Sequence, residues 1–235
     1  MILDAVIAAG LSPVLLVQAV RLRKRALLLP EAAGLRTGST GSGTPLRVLI
    51  IGDSSAAGVG AEHQDAALAG QLALALAPHR QVTWQLVART GATTADTFAG
   101  LDGIALEPAD VAIIVLGVND VTRGGPLPRW RRTHARLRST IQQRTGARTL
   151  YISQIPPLGR FPLLPHPLRW LLGRRSLRFD TALRGDLAKE PHSRHVLLPD
   201  TLDPNDMARD GFHPGPRIYA LWAKEMAHRI LSDGP

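Results

Sequence analysis

The chain has 235 residues, a formal net charge of +9 and no cysteine. With 45% hydrophobic and 20% charged residues, it can bury one sizeable core, which excludes an intrinsically disordered chain. The lack of cysteine excludes disulfides, thiolate metal sites and cysteine nucleophiles.

The positive charge favours anionic partners. The cations are almost all arginines spread along the chain, and no recognition-helix, zinc-finger or aromatic RNA-binding pattern accompanies them. We therefore predict no nucleic-acid partner. The charge instead suits the anionic surface of a membrane.

The first segment is apolar and then basic. Residues 2–20 are nearly all apolar, and four cations follow at once: Arg21, Arg23, Lys24 and Arg25. A span of about 20 apolar residues can cross a bilayer, and a cleaved signal would carry its charge before the apolar stretch. We expect residues 1–33 to form a membrane-anchor helix, with the basic flank keeping the rest of the chain on the cytoplasmic side. Two alternatives are a helix that lies in the membrane interface, with its basic cluster on anionic lipid, and a helix packed on the soluble domain.

Residues 34–45 are rich in Gly, Ser and Thr. Such a composition is typical of a flexible tether, so we predict a linker here. The remaining residues, 46–235, are predicted to form one domain.

Short aliphatic runs alternate with helical periodicity along this domain. The predicted strands cover residues 47–51, 82–87, 111–116, 149–153 and 196–198, and the predicted helices cover residues 62–77, 94–101, 127–144, 177–188 and 216–231. This alternation predicts an α/β fold with a parallel sheet and helices on both faces.

Four polar loops follow these strands or precede the last helix: GDSS, TGATT, GVND and DGFHP. Ligands of such folds bind beyond the carboxyl ends of the strands. The four loops should therefore meet at one edge of the sheet and build a composite site.

Ser54, in the first loop, is a candidate nucleophile. Neither the lysine-bearing phosphate loop nor the three-glycine dinucleotide turn is present in VLIIGDSSAAGVG. A serine at a strand-to-helix turn can instead present its hydroxyl to a substrate and its N–H to the resulting oxyanion.

A serine nucleophile needs a base, and the segment RDGFHPGP offers one. Asp210 and His213 are three residues apart, so one turn can hold the carboxylate near the imidazole and fix its tautomer. The plain alternative is an ordinary Asp-Gly turn beside a histidine.

Two further loops offer hydrogen-bond donors. Asn119 follows an aliphatic strand, with Gly117 giving backbone freedom, and Gly91 can offer a bare N–H to the same oxygen. Each has a simpler alternative, because an Asn-Asp pair commonly caps a helix and a glycine commonly forms a turn.

Taken together, the blocks GDSSAAG, TGATT, GVND and DGFHP resemble those of the SGNH/GDSL hydrolases, in the order of that family. The resemblance implies a three-layer α/β/α fold with a flavodoxin-like five-stranded parallel sheet. It also implies a site in which Ser54 is the nucleophile, His213 the base and Asp210 its orienting carboxylate. The oxyanion hole would comprise the N–H groups of Ser54 and Gly91 and Nδ2 of Asn119, and the blocks also contain three supporting residues: Asp53, Gly117 and Asp120.

The sequence departs from the family pattern at two places. Ser55 replaces the usual leucine after the nucleophile, and Arg89 and Thr90 precede Gly91 where the family commonly has an asparagine before its glycine.

We therefore expect a serine esterase or lipase that cleaves small or lipid-derived esters through an acyl-enzyme, with no cofactor and no metal. His192 and His195 have the spacing of a metal pair, but without a third ligand we expect surface histidines. We find no argued partner for five others: His63, His79, His134, His166 and His228. Two alternatives stay open: an O-acyltransferase of the same fold acting on a sugar, and a non-catalytic module that binds membranes or anions.

Residues 156–175 form a long connection rich in proline, leucine and arginine, with Phe161 and Trp170. Long connections at the functional edge of a sheet often line a ligand pocket. This one is expected either to line an acyl pocket or touch a bilayer, or to pack on the core of its own domain.

Overall fold

A computed structural model describes residues 10–25, 27–199 and 203–234. Its centre is a six-stranded sheet in the order β1-β3-β2-β4-β5-β6. The strands are β1 (Thr37–Thr40), β2 (Pro45–Gly52), β3 (Gln81–Ala88), β4 (Val111–Val115), β5 (Thr149–Ser153) and β6 (Ser193–Val196). Strands β2 to β6 are parallel to one another, and β1 pairs antiparallel with β3 at the edge.

Seven α-helices are present in the described part of the chain: α1 (Ser12–Arg25), α2 (Leu68–Leu76), α3 (Thr94–Gly100), α4 (Val118–Thr122), α5 (Leu127–Thr145), α6 (Leu168–Leu187) and α7 (Pro216–Asp233). Side chains of a strand point alternately to the two faces of the sheet. Val48 and Ile50 of β2 accordingly pack with α2 and α7, while Leu49 and Ile51 pack with α5 and α6. These two apolar clusters make the three-layer α/β/α fold, which confirms the predicted class.

The predicted linker is wrong for residues 37–40, because they form β1. This strand raises the count from the expected five to six. Gly38 lies against the ring of Trp84, and a Cβ on Gly38 would lie 2.3 Å from Trp84 Cη2. Gly38 is one of the residues that make this segment resemble a tether in the sequence. Its lack of a side chain leaves room for the Trp84 ring and so allows β1 to pair with β3.

Most predicted elements agree with the observed ones to within two residues at each end, and three differ by more. The predicted helix 62–77 is a 3₁₀ turn, Gln64–Ala66, followed by α2. Helix α6 starts at Leu168, directly after the proline-rich stretch, because Leu168 and Leu172 find buried positions. Strand β6 ends at Val196, where the predicted strand begins, since Leu197 is already exposed.

The expected N-terminal helix is seen only in part. Helix α1 has 14 residues, and residues 1–9 of the predicted anchor lie outside the described residues. Among residues 10–25, 27–199 and 203–234, no helix combines the length and the apolar content that a bilayer crossing requires. The anchor and the domain boundaries stay predictions.

Helix α1 lies against the domain through one face. Leu15 and Leu22 pack on the cluster that contains α6. Between them, Gln18 donates to the carbonyl of His166 at 2.6 Å and accepts the N–H of Leu168 at 3.2 Å. The spacing of these three helix residues, three and then four, places them on one face of α1. The helix is thus docked on the 156–175 connection.

Candidate active site

Ser54 lies in the turn that follows β2, at the carboxyl edge of the sheet. The N–H of Asp53 donates to the carbonyl of Val115 at 3.1 Å, which ties this turn to the end of β4. The carbonyl of Ser54 accepts the N–H of Val59 at 3.0 Å. Ser54 is 8% exposed and lines the cavity described below.

The predicted nucleophile and base are brought together. Ser54 Oγ lies 2.9 Å from His213 Nε2, although 159 positions separate the two residues in the chain. His213 Nδ1 lies 2.5 Å from Asp210 Oδ2. Since an ionised carboxylate only accepts hydrogen bonds, these partners assign the proton to Nδ1 and leave Nε2 to accept from the serine hydroxyl.

Asp210 stays ionised because its turn supplies donors. Burial raises the pKa of this carboxyl, but the hydrogen bonds from the His213 ring and from the backbone N–H groups of His213 and Phe212 outweigh burial. Its pKa therefore lies below the ordinary value. The three-residue spacing lets Asp210 Oδ1 accept both N–H groups, at 2.9 and 3.0 Å, while Oδ2 faces the ring.

Two backbone donors at the site have no acceptor. The N–H groups of Ser54 and Gly91 donate to none of the residues that the structure describes, and both residues line the same cavity. An unused buried or half-buried N–H is uncommon in folded proteins, where nearly all are paired. The two groups are therefore available to an oxygen atom of a ligand.

Asn119 also lines this cavity, but its amide is occupied. Its Nδ2 donates to Asp53 Oδ2 at 3.2 Å and to the carbonyl of Ala92 at 3.1 Å. The structure thus brings Asn119 to the predicted oxyanion hole with both amide hydrogens in use. To donate to a ligand, Asn119 must exchange one of these two hydrogen bonds.

Asp53 is the acceptor that orients Asn119, and it is 2% exposed. Burial raises its pKa to about 6, against the opposing effects of the Ser55 N–H, of His213 and of Asn119. The nearby Asp120 carboxylate adds to the increase. Asp53 is consequently a buried carboxyl that changes charge near neutral pH.

Gly117 and Asp120 shape the turn that carries Asn119. Gly117 has φ +135°, and a Cβ there would lie 2.7 Å from Ile155 Cγ1, so only glycine fits. Asp120 accepts the N–H and the hydroxyl of Thr94 at 3.0 and 2.9 Å, which ties this turn to the start of α3. Burial raises the pKa of Asp120 despite those hydrogen bonds.

A cavity of about 200 Å³ opens beside Ser54 and His213. Most of its wall is apolar, and the apolar residues that line it include Val115, Leu116, Pro156, Phe161, Leu198, Met207, Phe212, Ile218 and Trp222. The ring of Phe161 meets Phe212 edge-on, with centroids 5.4 Å apart, and Phe212 meets His213 in the same way at 5.3 Å. The cavity is thus a mostly apolar space that Ser54 and His213 also line.

The 156–175 connection both lines the cavity and packs on the core of its own domain, which were alternatives in the sequence analysis. Pro156 and Phe161 line the cavity, while Leu158, Leu164 and Leu168 are buried in the domain core. Nothing in the structure tests contact with a bilayer.

Sequence reasoning missed most of the cavity wall. Ile218 and Trp222 stand four residues apart at the start of α7, directly after the His213 loop, so helical spacing would have placed them on one face near the site. Met207 and Phe212 gave no periodic signal. Trp222 Nε1 is buried without a hydrogen-bond partner among the described residues.

The histidine pair at 192 and 195 does not form a metal site with a third ligand in the described residues, where no cluster of three or more His, Cys, Asp or Glu residues lies together. His195 Nε2 instead lies 2.9 Å from Asp180 Oδ1, an oxygen that also accepts the N–H of Ile155. His134 is buried beside Arg138, and burial, with the arginine charge, lowers its pKa to about 3. His134 is therefore a buried packing group of α5. The expectation of a surface position holds for His192, which is exposed, but is wrong for His195, whose side chain is 12% exposed and paired with Asp180.

The sequence and the fold are similar to those of known proteins. The chain is 26% identical over 200 residues to the GDSL-like esterase Rv1075c of Mycobacterium tuberculosis, an alignment that covers 80% of this chain and 62% of the relative. The chain thus spans less than two thirds of that relative's length.

Solved structures share the fold at low identity. The structure of TesA superposes with a TM-score of 0.60 at 20% identity, covering 77% of this chain and 95% of TesA. The psychrotrophic esterase EstA of Pseudoalteromonas, inhibited by monoethylphosphonate, gives 0.57 at 21% identity, covering 79% and 97%. The lipase Lip_vut3 from a goat rumen metagenome gives 0.62 at 16% identity, covering 78% and 96%.

The profile of the GDSL-like lipase/acylhydrolase family matches residues 50–221, which include Ser54, Gly91, Asn119, Asp210 and His213. Because this match spans well over half of the chain, the protein belongs to the GDSL-like lipase/acylhydrolase family.

Proposed function

We propose that the protein is a serine esterase that hydrolyses carboxylic esters through an acyl-enzyme on Ser54. The observation that carries this proposal is the hydrogen-bonded series Ser54, His213 and Asp210, with distances of 2.9 and 2.5 Å, at the end of an apolar cavity. A hydroxyl, an imidazole and a carboxylate in this order are the groups that activate a serine nucleophile. Membership of the family supports the same reaction class.

In the proposed reaction, His213 Nε2 takes the proton of Ser54 Oγ as the oxygen attacks the ester carbonyl carbon. The N–H groups of Ser54 and Gly91 then donate to the negative carbonyl oxygen of the tetrahedral intermediate. The protonated His213 gives its proton to the leaving alkoxide, which departs as an alcohol. Water, deprotonated by His213, cleaves the acyl-enzyme and regenerates Ser54.

Asn119 is proposed as the third donor to this oxygen. Its present hydrogen bonds to Asp53 and Ala92 are between 3.1 and 3.2 Å long, and an anionic oxygen is a stronger acceptor than a neutral carbonyl. We expect the amide to exchange the Ala92 carbonyl for the oxyanion while Asp53 keeps the side chain oriented.

The cavity favours acyl groups of limited length. Sites for drug-sized ligands enclose roughly 300 to 1,000 Å³, and this one encloses about 200 Å³. An apolar wall binds an alkyl chain better than a polar acid. Esters of short aliphatic acids are therefore the proposed first substrates.

A fluorophosphonate probe tests the proposal, because it reacts covalently with activated serines. We expect labelling of the wild type and of a Ser139→Ala control, which changes an exposed serine of α5, but no labelling of Ser54→Ala. A folded wild type that is not labelled would support a non-catalytic binding module instead. Adding a sugar acceptor during ester turnover separates hydrolysis from acyl transfer, since a transferase would yield the acylated sugar in place of the free acid.

We also propose that α1 rests on anionic membrane surfaces. Val17, Val20 and Lys24 lie on the face of α1 that points away from the domain, and Leu16 is 66% exposed. Leu28, just beyond the helix, is 90% exposed. Adjacent exposed apolar side chains with flanking cations are the pattern of helices that lie in the interface of an anionic bilayer.

A further inference from the structure

The turn around Gly91, between β3 and α3, lies at the surface of the protein. Arg89 and Thr90 are exposed and Gly91 is half-buried, yet the proposed reaction, on which this inference rests, needs the Gly91 N–H in a fixed direction. Gly91 has φ +77°, a conformation that glycine adopts easily and leaves easily. The turn is closed by its own hydrogen bond, from the N–H of Ala92 to the carbonyl of Arg89 at 3.1 Å, and side chains from outside the turn add to it.

Glu31 contacts the turn directly. Its Oε1 accepts the N–H of Thr90 at 2.6 Å and the hydroxyl of Thr90 at 2.7 Å. Its other oxygen pairs with Arg36. Burial raises the pKa of Glu31, but the hydrogen bonds from Thr90 and Arg36 outweigh that effect and hold it below the ordinary value. Glu31 is thus a charged acceptor on the residue before Gly91.

Arg36, in the same segment as Glu31, contacts the strand that leads into the turn. Its Nη1 donates to the carbonyl of Ala88 at 2.6 Å, at the end of β3. The backbone carbonyl of Arg36 accepts the N–H of Leu86 at 2.7 Å. The ion pair of Glu31 with Arg36 therefore lies across the start of the turn, with one member bound to Ala88 and the other to Thr90.

A third charged group holds the far side of Gly91. Arg123 Nη2 donates to the carbonyl of Gly91 at 2.6 Å, and its Nη1 pairs with Asp96 at 3.1 Å. Glu31 therefore holds the peptide unit before Thr90 by its N–H, and Arg123 holds the unit after Gly91 by its carbonyl; each unit is planar and moves as a whole. The peptide between them, which carries the Gly91 N–H, then has little freedom to rotate.

The segment that carries Glu31 also touches the nucleophile turn. The N–H of Ala32 donates to the carbonyl of Ala57 at 3.2 Å. Gln64 Nε2 donates to both of those residues' carbonyls, at 3.2 Å to Ala32 and 3.0 Å to Ala57. Residues 31–36 are thus bound to the two turns whose N–H groups would form the oxyanion hole.

We propose that Glu31 and Arg36 are positioning residues that hold the Gly91 N–H toward the oxyanion. Both precede the region matched by the family profile, residues 50–221. The two residues stand in the part of the chain that sequence reasoning assigned to an anchor and a tether. Thr90 stands where the family commonly has an asparagine before the glycine, and its hydroxyl is, with its N–H, one of the two groups that Glu31 binds in the turn.

The test uses full-length Glu31→Ala and Glu31→Gln, with Glu225→Ala as the control, because Glu225 makes an exposed ion pair with Arg229 on α7. Turnover of p-nitrophenyl butyrate gives kcat and KM. Removing an oxyanion donor completely lowers kcat about 100- to 1,000-fold. Glu31→Ala keeps the Gly91 N–H and only frees its direction, so the fall in kcat should be smaller. We expect Glu31→Ala to lower kcat about 10- to 100-fold with KM within about twofold. Glu31→Gln, which keeps an oxygen for Thr90, should recover part of that loss, and Glu225→Ala should match the wild type.

Thermal unfolding of each variant shows whether it is folded. A milder variant, Thr90→Val, provides a second test. This variant removes only the hydroxyl donor and leaves the Glu31–Arg36 pair, so it should give a smaller fall in kcat at unchanged KM. Wild-type kcat in folded Glu31→Ala and Thr90→Val would overturn the proposal. So would a loss of kcat that follows the loss of thermal stability and that glutamine does not relieve. If the wild type shows no Ser54-dependent labelling by the fluorophosphonate, the esterase proposal itself fails; labelling with an unaffected Glu31→Ala variant overturns the positioning role alone.

Discussion

Asp210 holds His213 by both its ring and its backbone: Oδ2 lies 2.5 Å from Nδ1, and Oδ1 accepts the His213 N–H at 3.0 Å. Asp210→Asn keeps an oxygen for the backbone N–H groups but presents an amide donor to the ring. The imidazole must then carry its proton on Nε2, where it cannot accept from Ser54. We expect kcat to fall roughly 10³- to 10⁴-fold with little change in thermal stability. Asp203→Asn, which alters another aspartate that accepts a backbone N–H two residues on, is the control, and more than a tenth of the wild-type kcat in Asp210→Asn would contradict the expectation.

Ser54 and His213 are 159 residues apart in the chain, yet the sequence was sufficient to predict that they meet. Parallel strands end at one edge of the sheet, so loops that follow different strands must meet there, and Ser54 and His213 do. The same argument could not predict the hydrogen bonds that the Asn119 amide makes. Its occupation by Asp53 and Ala92 depends on side-chain directions, which strand order does not determine.

Strand β1 and the Glu31 contact show a second limit of the sequence. Local composition favours a tether over residues 34–45 because glycine and serine are poor strand formers. The pairing with β3 depends on the contact of Gly38 with Trp84, which lies 46 positions further along the chain. Contacts of that kind leave no periodic pattern, and the ion pair of Glu31 with Arg36 leaves none either.

Asp53 should make stability depend on pH. Its pKa rises from 3.8 to about 6 because it is buried, so folding favours the protonated form. The resulting stabilisation is fully present below pH 3.8 and is lost as pH rises through about 6. Asp53→Asn does not titrate. The free energy of unfolding of the wild type minus that of Asp53→Asn should therefore fall by up to roughly 3 kcal/mol between pH 4 and pH 7, measured by urea denaturation.

Asp110 provides a control of opposite sign for this titration. Hydrogen bonds from Arg47 lower its pKa despite partial burial, so its stabilisation is present above the unfolded pKa and is lost as pH falls below it. The difference between the wild type and Asp110→Asn should therefore stay nearly constant from pH 5 to pH 7 and begin to fall only near pH 4. A flat difference for Asp53→Asn over the same range would mean that the buried carboxyl does not titrate there.

Phe161 should set the length of acyl chain that the cavity accepts, because its ring lies in the wall and contacts Phe212. Phe161→Leu keeps the wall apolar and opens space for more of the chain. Each buried methylene contributes about 0.8 kcal/mol, so two more would raise the ratio of kcat/KM for p-nitrophenyl decanoate over butyrate by roughly tenfold. Phe98→Leu makes the same change outside the cavity wall, against the core cluster, and should leave the ratio unchanged. An equal ratio in all three proteins would rule out Phe161 as the limit.

The outward face of α1 should bind anionic bilayers. Exposed apolar side chains at Val17 and Val20 offer the buried area, and Lys24 on the same face adds electrostatic attraction of about 1 kcal/mol near an anionic surface. We expect the full chain to sediment with phosphatidylglycerol vesicles more strongly than with pure phosphatidylcholine, and added salt should weaken the difference. Val17→Asn combined with Val20→Asn should reduce binding about tenfold or more, since each substitution removes a methyl-rich contact and adds a polar amide. Leu177→Asn, at an exposed leucine of α6, is the matched control; equal binding of the wild type, the control and the double variant would show that α1 does not dock on lipid.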